Sequence, residues 1–242
     1  MGRILMVLVV IAAAAVLALG YLGFVPGVAT AFGSDKPRDL GIRATEADAQ
    51  SANQKAGISL AALPAGVSPE ESLQLSGQKA VNASFSDEEL TALVRVHEGK
   101  WAYYPVSDCQ IKINGDGTVE ASGILRMDRA YGYAQATGVP AEVVSVVVDR
   151  LKIANTNPPF YVKGTVSVAN NKVSGVVQQV EIGRFTLPAN WVADNKAAIA
   201  SFLEDRLDRA EIAAKSVTFA NGAMKFEGTV PENVGFSPPG GN

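Results

Sequence analysis

The residues able to do acid–base, nucleophilic or metal chemistry are few, and their spacing assembles none of these. His97 is the one histidine. It falls at the end of a helical stretch with no second His, no Cys and no carboxylate pair around it, and reads as a solvated helix-end residue rather than a catalytic base. A zinc centre needs three or four closely spaced His, Cys or carboxylate ligands, and the sequence offers no such set. Cys109, the only cysteine, lies in the strand-like VSDCQIKI and reads as a small half-buried residue. Alone it can form no intramolecular disulfide, so stability must come from packing. Glu204, Asp205 and Asp208 alternate with Arg206 and Arg209 at the i,i+3 and i,i+4 spacing of a solvated helix face. Ser122-Gly123 and Ser174-Gly175 fall in strand patterns, without the G-x-S-x-G turn that exposes a hydrolase serine. No catalytic residue, metal site or cofactor is therefore expected, and the chain does not read as an enzyme.

Apolar groups are the better candidates for a site. Phe185, Leu187, Trp191, Ile199, Phe202 and Leu203 fall close together and could line a groove between a helix and a sheet that holds an acyl chain. The same residues could be ordinary core, since an amphipathic helix buries such a stripe wherever it packs. A formal net charge of −3 over 242 residues, with no block of basic residues, leaves nothing to track a phosphate backbone, so no nucleic-acid partner is expected.

The element that positions everything else is the first. Ile4 to Phe24 is a run of 21 residues without a charge; as a helix it spans roughly 30 Å, the thickness of a bilayer's hydrocarbon core. Its length favours a retained anchor over a signal core of roughly 7–15 residues. Ala29-Thr30-Ala31, after Pro26, nevertheless offers a small-x-small cleavage site, and cleavage after Ala31 would make the protein a secreted one. Arg3 abuts the span. Lys36, Arg38 and Arg43 follow an uncharged spacer and are mixed with Asp35, Asp39 and Glu46, so the amino terminus is predicted to be cytoplasmic and the bulk of the chain extracytoplasmic.

Residues 25–41 contain Gly, Pro and mixed charge and read as a linker. Thr45 opens a helix, TEADAQSANQKAG, with Asp48 as its box partner and Gly57 to end it; its small apolar surface places it on the outside of the fold. Residues 58–79 are weakly patterned, with a turn in LPAGVSPEES. Ser86 and Glu89 form an S-x-x-E box, Phe85 and Leu90 a hydrophobic staple, and Asp87 to Glu89 meet the positive end of the dipole. These signals start a helix that ends near Gly99. Strands over 106–113 and 118–125 flank Asn114 to Gly117 and should pair antiparallel. AEVVSVVVDRLK, introduced by Pro140, reads as a helix on the recurrence of Val143, Val147 and Leu151, although valines suit a strand as well. Hairpins are predicted for Phe160–Ala169 with Lys172–Ile182 around Asn170-Asn171, and for Lys215–Ala220 with Ala223–Val230 around Asn221-Gly222. Between them, Trp191 to Arg209 places Val192, Ile199, Leu203 and Leu207 on one face, joined by Phe202, as an amphipathic helix of about five turns. The tail NVGFSPPGGN reads as loose.

The strand pair ending VQQVEIGRFTLP, the long helix after Pro188 and the closing strands AKSVTFANGAMKFEGTV resemble the YpmS-like family of small membrane-anchored bacterial proteins. More distantly, they resemble the TULIP lipid-binding superfamily. The FSDEELTALV helix followed by a hairpin is similarly placed, whereas residues 35–80 have no counterpart. The resemblance implies a single N-terminal span and an extracytoplasmic domain whose curved sheet wraps a long helix. It also implies binding or transfer of lipids without cofactor or covalent chemistry.

Together these readings give an α+β protein: a transmembrane anchor over 1–24, a linker over 25–41, one elongated extracytoplasmic domain over 42–231 with a curved antiparallel sheet packed on a long amphipathic helix, and a flexible tail over 232–242. Two functions fit. One is a membrane-anchored, non-enzymatic protein that binds lipid or another apolar ligand in a helix–sheet groove. The other is a structural or protein-interaction module of the cell envelope, with a filled core, no ligand and an envelope protein as partner. A continuous apolar cleft supports the first, and a fully packed helix–sheet interface the second.

Overall fold

Two helices begin where side chains supply the backbone's missing partners. The computed structural model describes residues 28–31, 33–140 and 157–239, with positions 14 and 17 standing alone before them. The predicted span Ile4–Phe24, apart from those two helical positions, and the helix predicted over 141–152 lie outside the described residues. Among the described residues no helix is long and apolar enough to cross a membrane.

In α1 (Glu46–Ala56) the Thr45 hydroxyl accepts from the Asp48 N–H, the Asp48 carboxylate accepts from the Thr45 N–H at 2.7 Å, and Gly57, at φ +64°, ends the helix in the left-handed region. The same box forms in α2 (Asp87–Lys100) from Ser86 and Glu89. Phe85 and Leu90 share one buried cluster, as the staple predicts. Glu89 does more than cap. Buried, it accepts from Ser51 Oγ at 2.5 Å, Lys55 Nζ at 2.7 Å and the Ser86 N–H at 2.9 Å, and so ties α2 to α1. Burial works to raise its pKa, but the Lys55, Ser51 and Ser86 bonds outweigh it and hold the carboxyl below its ordinary value.

The outward placement expected for α1 is corrected. Ala49, Ala52 and Ala56 are buried, and the last two join Phe85, Leu90 and Ile113 in the core. Their spacing makes a face of small side chains, which contributes little apolar area but lets the helix axis approach α2 and the sheet closely.

That sheet has eight strands, all paired antiparallel: β3 (Lys79–Ser86), β4 (Val106–Ile113), β5 (Val119–Leu125), β6 (Pro159–Ala169), β7 (Lys172–Ile182), β8 (Phe185–Thr186), β9 (Ala213–Ala220) and β10 (Ala223–Val230). The protein is thus α+β. β6 organises it. One edge pairs with β7 along its whole length; the other pairs first with β5, over residues 159–164, and then with β9 at Val168 and Ala169. The three predicted hairpins are present, and Asn170, Asn171, Asn221 and Gly222 all take the positive φ that a two-residue hairpin turn requires.

A second, three-stranded sheet occupies regions the sequence left unpatterned: β1 (Ser59–Ala62) lies parallel to β11 (Asn233–Phe236), which pairs antiparallel with β2 (Leu73–Ser76). The loose tail is corrected here, because Val234 and Phe236 are buried with Trp101 and Ser237 is buried beside them. Strands of four residues carry too short an alternation to stand out in a sequence. A short helix, α3 (Ala130–Thr137), was likewise unforeseen; it ends at Gly138, φ +65°.

The linker, too, is corrected at its far end. Residues 33–43 form no helix or strand, yet Leu40 and Ile42 are buried with Tyr161, and their N–H groups donate to Gln110 Oε1. Arg38 lies 3.7 Å over the Tyr161 ring and pairs with Glu181 at 2.9 Å. This stretch straps β4, β6 and β7 together. Tyr161 meanwhile donates to Glu120 on β5 at 2.6 Å; burial and that bond push its pKa up to about 12.

Finally, the five-turn helix is two helices, α4 (Ala189–Asp194) and α5 (Lys196–Arg209), interrupted at Asn195. The Asn195 amide donates to the Trp191 carbonyl at 2.8 Å, a local side-chain bond that competes with continued helix.

A candidate ligand groove between helix and sheet

Polar bonds and Leu207, which packs on the Val168, Ala214 and Val217 cluster, hold α5 to the sheet. Glu204 accepts from Lys172 Nζ at 2.8 Å and from the Val173 N–H at 3.0 Å. The Asn171 amide donates to Asp208 and the Ile212 carbonyl and accepts from the Ala214 N–H, pinning the exit of α5 to the β6–β7 turn. These bonds correct the expectation of a purely solvated acidic face: only the Asp205–Arg209 pair has that i,i+4 character. No residue of α5 is buried.

Beneath the helices lies a groove of two sections that share part of their lining. The first, about 610 Å³, runs under α4 and α5 over the floor of β6 and β7. Gly164, Thr165, Ser174 and Gly175 are part of that floor, and a Cβ on either glycine would collide with the carbonyl of the neighbouring strand. Close strand crossing therefore demands glycine, and the small residues leave depth beneath the helix. Val162, Val166, Val176 and Val177 complete an apolar wall. The second section, about 790 Å³, continues past Val166, Val173 and Leu203, which line both, to an aromatic end at Trp101, Tyr104, Tyr133 and Phe236.

Of the six residues singled out from the sequence, Ile199 and Leu203 line the groove. Leu187 is half-buried at the β8–α4 turn. Phe185 and Trp191 are exposed near the entrance of α4, each 44% accessible. Phe202 lies at the edge of the stripe, exposed, with the Arg206 guanidinium 5.3 Å over its ring. The floor valines and the aromatic end were missed; the pairing of glycines with valines in facing strands was the available signal.

The aromatic section also holds the groove's polar groups. His97 is not solvated: it packs edge-on to Phe236 at 5.1 Å and near Tyr104 at 5.8 Å, and burial, with Lys100 nearby, lowers its pKa to about 4. Burial raises that of Tyr104. Arg206 donates to Thr137 Oγ1 at 3.0 Å and pairs with Asp205, while its buried Nε has no hydrogen-bond partner among the described residues. Cys109, on β4, is buried, which pushes its thiol up to about 11 and leaves it a poor nucleophile. Among the described residues no group of three or more His, Cys, Asp or Glu side chains could hold a metal ion.

The arrangement offers space to an elongated apolar molecule and presents two arginines, Arg206 and Arg209, with Glu211 and several aromatic groups in the second section. No protein-family model, curated protein or solved structure matches the chain significantly.

Proposed function

We propose that this chain is a membrane-anchored, extracytoplasmic protein without enzymatic activity that holds a lipid, or another elongated apolar ligand, in the groove under α4 and α5. The carrying observation is the groove itself. Its two sections, about 610 and 790 Å³, each fall within the roughly 300–1,000 Å³ of small-molecule sites, and both are lined by Val166, Val173 and Leu203. The rival reading, an envelope module with a filled core, requires the whole stripe to be buried, whereas only Val192 and Leu207 at its two ends pack on the protein and Leu203 between them stays 39% exposed.

The remainder of the proposal comes from the sequence. Residues 4–24 anchor the chain, with cleavage after Ala31 the route to a secreted form, and the α+β domain is of the TULIP-like kind, an elongated curved sheet against amphipathic helix. The test is mass spectrometry of solvent extracts from the purified full chain. A stoichiometric lipid retained by the wild type and lost from Leu203→Glu supports the reading, because a hydrated carboxylate on the groove lining opposes entry of an apolar chain. No lipid above the background of an unrelated single-span protein refutes it.

A further inference from the structure

The tether and the most exposed aromatic residues meet at one end of the sheet. Arg38 makes two bonds to Glu181, at 2.9 and 3.1 Å. Glu181 pairs with Thr186, and Ile182 with Phe185, in the short β7–β8 ladder. The chain arriving from residue 24 is therefore fastened beside Phe185. From Phe24 to Arg38 is 14 residues, at most about 50 Å and less with Val28–Ala31 helical, so an anchored chain holds this end within that reach of the bilayer. Phe185 and Trp191 are both 44% exposed there, on either side of the β8–α4 turn. Ala189, Val192, Ala193 and Lys196, on α4 and at the start of α5, line the first groove section just beyond.

We propose that the Phe185–Trp191 end docks on the bilayer in which the chain is anchored, with both aromatic side chains in the interface and the α4 end of the groove facing the lipid. Aromatic rings suit that layer because their apolar bodies enter it while Trp N–H stays hydrated. Lys196 adds positive charge that favours an anionic surface, whereas the charge of Arg38 is met by Glu181. The contact gives a lipid a path into the groove that does not cross water. It rests on the reading of residues 4–24 as an anchor and of the groove as a lipid site.

The test places an environment-sensitive fluorophore on the full chain, one position at a time, through Phe185→Cys, Trp191→Cys and Gly115→Cys. Gly115 lies in the β4–β5 hairpin and serves as the water-facing control. Cys109 is buried and stays unlabelled. The labelled proteins are reconstituted into vesicles of phosphatidylcholine with a minor share of phosphatidylglycerol, and circular dichroism checks that each is folded. At 185 and 191 the emission is expected to shift to the blue and to be quenched by lipids carrying a nitroxide near the head group, while 115 remains unshifted. Water-like emission at 185 and 191, or an equal shift at 115, overturns the contact. Failure to float with the vesicles refutes the anchor, and the contact with it. A shifted 185 and 191 in a chain whose extracts hold no lipid keeps the contact and discards the ligand.

Discussion

On one side of the molecule α1 and α2 bring alanines and Leu90 against Phe85 of β3 in a filled interface; on the other, α5 rides over β6 and β7 without burying one residue. Both sides set helices against strands of the same sheet, and α2 and α5 carry comparable apolar stripes. What differs is the facing surface. Ile111, Ile113, Phe219, Met224 and Phe226 meet α1 and α2 with bulk, while Gly164, Thr165, Ser174 and Gly175 lie under α4 and α5. An amphipathic helix says which of its faces is apolar. The size of the residues opposite decides whether that face closes a core or roofs a cleft.

The contrast is broken most readily by truncating one apolar residue on each side. Phe85→Ala should lower stability by about 3–5 kcal/mol, as in a filled aromatic site, whereas Ile199→Ala beside an existing groove should cost less than about 1 kcal/mol. Denaturant midpoints of the full chain read both. Equal losses would mean that the two interfaces are packed alike.

Acid should strike the groove's aromatic end. The folded pKa of His97, about 4, lies below its ordinary 6.5, so the unfolded chain binds the extra proton between those values. The associated stability is present above pH 6.5, falls as the pH drops through that window, and is fully lost below about 4. The loss is at most about 3 kcal/mol. His97→Phe should flatten the difference measured across that window; an unchanged slope would show that His97 is not held neutral.

A smaller effect sharpens the helix comparison. Ser86→Ala removes the cap of α2 and should cost about 1 kcal/mol, while Asp205→Ala on α5, whose partners Arg206 and Arg209 lie on the same helix, should cost less than about 0.5 kcal/mol. Thermal melts that shift equally would contradict the assignment of a packed and an unpacked helix.

The sequence was most informative where a few neighbouring residues determine the backbone. Thr45 with Asp48, Ser86 with Glu89, and the Asn170-Asn171 and Asn221-Gly222 turns all act locally, and each forms as its residues predict. It was least informative where structure depends on distant partners. β1, β2 and β11 are four residues each and exist because Trp101 gives Val234 and Phe236 something to cover. The burial of α1 needed knowledge that α2 lies against its alanines. For the groove, helical periodicity found Ile199 and Leu203, but it could not separate them from Phe202 at the rim of the stripe, nor find a floor supplied by two strands folded back from the other side of a turn.

The central claim, that the cleft under α5 takes up a lipid tail, is tested most directly by photolabelling. A fatty acid carrying a diazirine on its chain is added to membranes holding the full chain, irradiated, and the crosslinked peptides are mapped. The account predicts label on β6, β7 and α5, at or beside Val162, Val176, Ile199 and Leu203, and its disappearance in Leu203→Glu. Label confined to residues 4–24, with none on those three elements, would contradict it.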